Sequence, residues 1–135
     1  MAYFNWNDSY SVKIREIDAQ HMELINILNE LYEAMSVSKG NEIMGGIITR
    51  LIKYTRQHFT TEEKYMEKFG YPDYYDHKKE HDEFTSKVMA FDSDFRSGKV
   101  ALSLSITSFL KTWLVKHISG VDKKYTAFFN SKGLL

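Results

Sequence analysis

The chain contains no cysteine. That excludes disulfides, cysteine-ligated iron–sulfur clusters and thiolate zinc sites, while leaving the compartment open. It also lacks an excess of either charge, because 18 basic and 18 acidic residues cancel. Such a balance provides no basic field to hold nucleic acid or an anionic membrane, and neither is expected as a partner. No stretch approaches the ~18 apolar residues that cross a bilayer. The start, Met1-Ala2-Tyr3-Phe4-Asn5-Trp6-Asn7-Asp8, has no basic segment followed by an apolar run. A cytoplasmic protein without membrane insertion is expected. Proline occurs once, at Pro72, where it marks a corner.

What the sequence does have is helical periodicity over most of 135 residues. That length suits one domain, 1–135, with no linker, repeat or low-complexity segment. Residues 1–17 read as an irregular arm anchored by Phe4, Trp6 and Tyr10, with a Val12/Ile14 alternation that finds no partner run for a strand. From Asp18, taken as an N-cap, inward residues step by three and four through His21, Leu24, Leu28, Leu31 and Met35. Ser38-Lys39-Gly40 ends that helix and Asn41 is available to cap the next. The second stripe is Met44, Ile47, Leu51, Tyr54, His58, Glu62, Tyr65 and Phe69. Gly45-Gly46 near its start suggests a close helix contact. After Gly70-Tyr71-Pro72-Asp73 a third helix carries His77, His81, Phe84, Val88, Phe91 and Phe95, and Ser97-Gly98-Lys99 breaks it. Ser103 then caps a fourth, with Ile106, Leu110, Trp113, His117 and Val121 inward and Tyr125 and Phe128 beyond. Four such helices on short loops predict an all-α, antiparallel up-down-up-down four-helix bundle over 18–129.

All five histidines lie on these inward stripes. His58 and Glu62 are four residues apart, as are His77 and His81, so each pair shares one helix face a turn apart and can reach one object. Imidazole and carboxylate suit iron, zinc or manganese. The topology adds an independent check. His21 and His77–His81 lie near the starts of their helices, His58–Glu62 and His117 near the ends of theirs. In an antiparallel bundle those ends coincide, with every group about 21–28 Å from the opposite end. One inward histidine is ordinarily a core residue bonded to a carbonyl. Five at one level would need five separate buried partners, which favours a metal site. The charged run Glu62-Glu63-Lys64 to Glu67-Lys68 reads, apart from Glu62, as an exposed face.

Five neutral imidazoles and one carboxylate are too many ligands for one tetrahedral zinc and too little negative charge for two buried divalent ions. A further carboxylate is expected near His117. Asp122 is the candidate, although five residues on a regular helix turn it about 140° away. A local widening of the helix, or a break at Gly120, is therefore predicted there.

The series His21, His58-x-x-x-Glu62, His77-x-x-x-His81 and His117-x-x-x-x-Asp122, with Trp113-Leu114 ahead of the last histidine, resembles hemerythrin, specifically the single-domain bacterial members. The resemblance covers essentially the whole chain. It implies two iron ions with an oxo or hydroxo bridge, one held by His77, His81 and His117, the other by His21 and His58, with Glu62 and Asp122 bridging. It further implies reversible dioxygen binding at the second iron, for storage, transport or delivery to an oxygen-consuming enzyme. Leu114, Ile118, Phe59 and Leu24, flanked by Trp113, would wall the oxygen pocket, with Leu114 as its shield; core packing alone would also account for each of them. Di-iron enzymes carry Glu-x-x-His pairs, and no histidine here has glutamate three residues before it. Oxygen carriage is thus favoured over an enzyme reducing peroxide or nitric oxide, or over a sensor. Neutral charge and the aromatics Tyr74, Tyr75 and Phe129, expected at the surface, leave a weak interface open and fit a monomer or a weak oligomer.

Overall fold

The computed structural model describes residues 4–37, 41–98 and 104–135. Ser38-Lys39-Gly40, Lys99 and Ser103, expected to end or cap helices, and the side chains of Asn41, Ile106 and Val121 lie outside the described residues. Four long helices form an antiparallel bundle: α1 (Arg15–Ser36), α2 (Asn41–Phe69), α3 (Tyr74–Arg96) and α4 (Leu104–Lys116). A π-helical turn (His117–Val121), a 3-10 turn (Asp122–Tyr125) and a short α5 (Thr126–Ser131) continue α4. α1 packs on α2 and α4, and α2 packs on α3.

The core follows the predicted stripes. Leu24, Leu28, Leu31, Leu51, Phe84, Val88 and Leu110 are buried in one cluster along the bundle. Each fully buried side chain of this kind contributes roughly 1.5–3 kcal/mol. A second cluster closes the ligand-bearing end, where Val12, Ile14 and Ile17 meet Met66, Tyr71, Tyr125 and Phe129. Phe129, expected at the surface, is fully buried because α5 turns it into the cluster that the arm residues Val12 and Ile14 form with Met66 and Tyr71. Tyr75 is 82% exposed.

The arm is the main departure from the sequence reading. α1 begins at Arg15 with Ile14 in the capping position and no side-chain cap. Asp18, expected to cap the helix, instead accepts hydrogen bonds from Ser11 Oγ at 2.6 Å and from the Val12 backbone N–H at 2.8 Å. Its carboxylate ties the arm to the first turn, where the helix dipole favours negative charge. Upstream, Phe4 is buried and exchanges two 2.7 Å hydrogen bonds with the Asn29 side chain, so the arm does lie across the bundle.

α2 ends at Gly70, whose φ of +69° favours glycine. The Tyr71 N–H reaches back to the Met66 carbonyl at 2.9 Å, which closes the helix before Pro72 turns the chain into α3. Gly45 and Gly46 do not mark a close helix contact. A Cβ added at Gly45 would sit 3.6 Å from the Phe95 ring, and at Gly46 it would meet nothing within 4 Å.

Candidate metal centre

α1 brings His21, α2 brings His58 and Glu62, α3 brings His77 and His81, and the π turn brings His117, all to one end of the bundle. Asp122 joins them through the predicted widening. Its backbone N–H donates to the His117 carbonyl five residues back, and this wider turn rotates the carboxylate inward. All seven side chains are buried, at 0–2% exposure.

The donor atoms fall into two overlapping groups. Glu62, His77, His81, His117 and Asp122 place ligand atoms within 4.8 Å of one another, and so do His21, His58, Glu62 and Asp122. Both carboxylates belong to both groups. Asp122 Oδ1 lies 2.9 Å from Nε2 of His77 and of His117, while its Oδ2 lies 3.1 Å from His21 Nε2. Glu62 Oε1 lies 3.1 Å from His58 Nε2 and 3.4 Å from His81 Nε2.

These atoms converge without satisfying one another. His21 Nε2, His58 Nε2, His77 Nε2, Glu62 Oε1 and both Asp122 oxygens are buried with no hydrogen-bond partner. Orphaned polar atoms at this density would cost several kcal/mol in a protein core. Imidazole nitrogens and carboxylate oxygens whose lone pairs meet in common centres are the donor set of N/O-ligated cations, so the residues fit a metal.

Electrostatics point the same way. Burial pushes the Glu62 carboxyl upward and Asp122 adds repulsion, yet His58 and His81 outweigh both and hold it below the ordinary carboxylate range. Burial likewise opposes ionisation of Asp122, but His117, His21 and His77 depress it well below that range. Both carboxylates are thus ionised, as metal ligation requires. The imidazoles divide. Burial lowers His58, whereas His81 is pushed up to about 9 because Glu62 and Glu63 overcome its burial. His117 rises as well, with Asp122 outweighing its burial.

Aromatic plates fix the rings of the five-residue group. Phe59 stacks on His81 with centroids 3.8 Å apart, Trp113 on His117 at 4.4 Å, and Tyr125 on His77 at 5.6 Å. Tyr125 also donates its hydroxyl to Glu62 Oε2. Outside the ligands, His58 Nδ1 meets Gln20 Oε1 at 2.6 Å and His81 Nδ1 meets Glu63 Oε2 at 2.8 Å.

Gln20, Glu63 and Tyr125 were missed as site residues. Glu63 in particular is not part of an exposed face, since its side chain is 20% exposed and turned onto His81. The available signal was its position beside Glu62, which puts it at the edge of the inward stripe.

Beyond the ligand layer, an apolar cavity of about 20 Å³ lies on the bundle axis. Leu24, Leu28, Leu51, Phe59, Phe84, Leu110, Trp113 and Leu114 line it, with Thr55 the single polar lining residue. Ile118 is fully buried in the core cluster and does not line it.

Residues 12–129 match the family described as Hemerythrin HHE cation binding domain. A bacteriohemerythrin of Stenotrophomonas maltophilia is 35% identical over 93% of this chain and 80% of its own. Another, from Clostridium acetobutylicum, is 35% identical over 90% of this chain and 98% of its own. Among solved structures, a wild-type hemerythrin superposes with a TM-score of 0.89 at 30% identity, covering 93% of this chain and 97% of that one.

Proposed function

The chain belongs to the hemerythrin family, and from that premise we propose that it binds dioxygen reversibly at a non-haem di-iron centre, for oxygen storage, transport or delivery. The observation that carries this reading is the sharing of Glu62 and Asp122 between two groups of potential ligands, next to an apolar cavity whose wall includes Phe59, stacked on His81, and Trp113, stacked on His117. His77, His81 and His117 would hold one iron, His21 and His58 the other, with the two carboxylates spanning both. A ferrous pair, when bound there, supplies the electrons that reversible dioxygen capture requires. The His21/His58 group counts one imidazole fewer, so an iron held there would have fewer donors from the chain and could take a ligand from outside it.

The remaining work falls to the protein's own side chains. A cavity of about 20 Å³ is large enough for one small molecule. A lodged water wants two to four polar partners and finds one hydroxyl, that of Thr55, so Leu24, Phe59 and Leu114 favour an apolar gas over water. The same lining presents no titratable group, which favours holding oxygen over the protonation steps that peroxide or nitric oxide reduction demands. Among the described residues no helix is long and apolar enough to cross a membrane. The proposal takes the protein as cytoplasmic and as a donor to an oxygen-consuming enzyme.

The test is to cycle reduced, iron-loaded protein between air and argon while recording its visible spectrum. Return to the colourless ferrous form under argon is the expected outcome. Protein that stays ferric, or turns over peroxide or nitric oxide, would be an enzyme instead.

A further inference from the structure

The two ligand groups stand against different outer chemistry. Behind the five-residue group are carboxylates: Glu63 Oε2 lies 2.8 Å from His81 Nδ1, while Glu80 Oε1, at 3.6 Å from His117 Nδ1, brings its charge near that ring without a hydrogen bond. Behind the four-residue group is an amide, Gln20 Oε1, 2.6 Å from His58 Nδ1. His21 Nδ1, like His117 Nδ1, is buried with no hydrogen-bond partner. The amide's orientation is set by a short relay. Gln20 Nε2 donates to Thr61 Oγ1 at 3.3 Å, and that hydroxyl donates to the Gln57 carbonyl at 3.0 Å. Gln20 therefore presents its oxygen to His58, and both His58 and His81 are held in the tautomer that leaves Nε2 free for a metal.

The partners orient the rings equally well but differ in charge. A ring N–H donating to a carboxylate makes the opposite nitrogen a stronger donor and brings a full negative charge near the ion, whereas an amide brings only a dipole. Of the two carboxylates, Glu63 is the closer and the better shielded, with 20% exposure against 41% for Glu80.

We infer that Glu63 and Gln20 are positioning residues that make the two metal positions unequal, so that the His77/His81/His117 position favours the ion of higher charge and the His21/His58 position the ion of lower charge. This rests on the two-iron reading above.

The experiment compares iron-loaded wild type with Glu63→Gln, Glu63→Asp and Gln20→Glu. Two quantities are read: the midpoint potential in an anaerobic dithionite titration, and iron retention against a chelator. Glu63→Gln raises the potential and weakens retention about 10–100-fold, the usual effect of losing an outer partner. Glu63→Asp, which keeps the charge, stays near wild type. Gln20→Glu shifts the potential the opposite way, downward. The inference is overturned if Glu63→Gln and Glu63→Asp shift the potential alike, if Gln20→Glu shifts it in the same direction as Glu63→Gln, or if no variant shifts it. Wild type that takes up a single ion per chain overturns the two-iron function itself, a separate result read before any variant is compared.

Discussion

The backbone N–H of Asp122 is bonded to the carbonyl of His117, five residues earlier. On a regular helix the two side chains would diverge by about 140°; here Asp122 Oδ1 lies 2.9 Å from His117 Nε2. The widened turn thus supplies the carboxylate that both ligand groups share. Asp122→Asn preserves the side chain's shape and removes its charge. Iron content, measured by elemental analysis of purified protein, should fall by roughly half or more through loss of a charged ligand. Full retention would remove Asp122 from the ligand set.

Leu114 is buried in the cavity wall one turn before His117. Leu114→Ala opens that wall, and autoxidation of the oxygenated protein, followed by its visible spectrum, should accelerate. The same change should cost about 2–5 kcal/mol of stability, as buried leucine truncations do. Thr55→Val replaces the only hydroxyl in the lining with a methyl group and should slow autoxidation. An unchanged rate in both variants would mean that the cavity is packing and nothing more.

Tyr125 combines a ring stacked on His77 with a hydroxyl donated to Glu62. Tyr125→Phe keeps the ring and its burial, so the loss isolates one hydrogen bond to a charged acceptor. Urea unfolding should show a deficit of about 1.5–3 kcal/mol. No deficit would show that Glu62 finds another donor.

Stability of protein stripped of metal should depend on pH through His81. Its folded-state value is raised to about 9 from an ordinary 6.5, because Glu62 and Glu63 overcome the opposing burial. A raised value stabilises the fold fully below pH 6.5, and the contribution is lost as pH climbs through about 9. Thermal melts of stripped protein should therefore drop across that window, with His117 adding in the same direction. Metal-loaded protein should stay level, since its imidazoles are already deprotonated.

Gly46 lies within α2 with open space where a Cβ would go. Gly46→Ala should stabilise the protein by about 0.5–1 kcal/mol in chemical denaturation, by restricting the unfolded chain and improving helix propensity. A loss of stability would mean that the helix start needs glycine.

Much of the centre was legible from spacing. A helix fixes which residues share a face, so His58 with Glu62 and His77 with His81 declared themselves as pairs, and short loops put every pair at one end. Even the distortion before Asp122 followed, because an unbalanced ligand count demanded a carboxylate that a regular helix would have misdirected.

The sequence alone determined the inward stripes and the shared level of the five histidines and Glu62, and pointed to Asp122 beside them, all consequences of helical period and chain direction. Tertiary structure decided what stands behind the ligands: Gln20 reaching from α1 to His58, Glu63 from α2 to His81, Tyr125 from beyond the π turn to Glu62. It also decided that Asp18 fastens the arm and that Phe129 is buried. Periodicity reports which way a side chain faces. Whether a group at the edge of a stripe touches a neighbour depends on how adjacent helices are rotated and spaced, and that is settled only when the whole core packs.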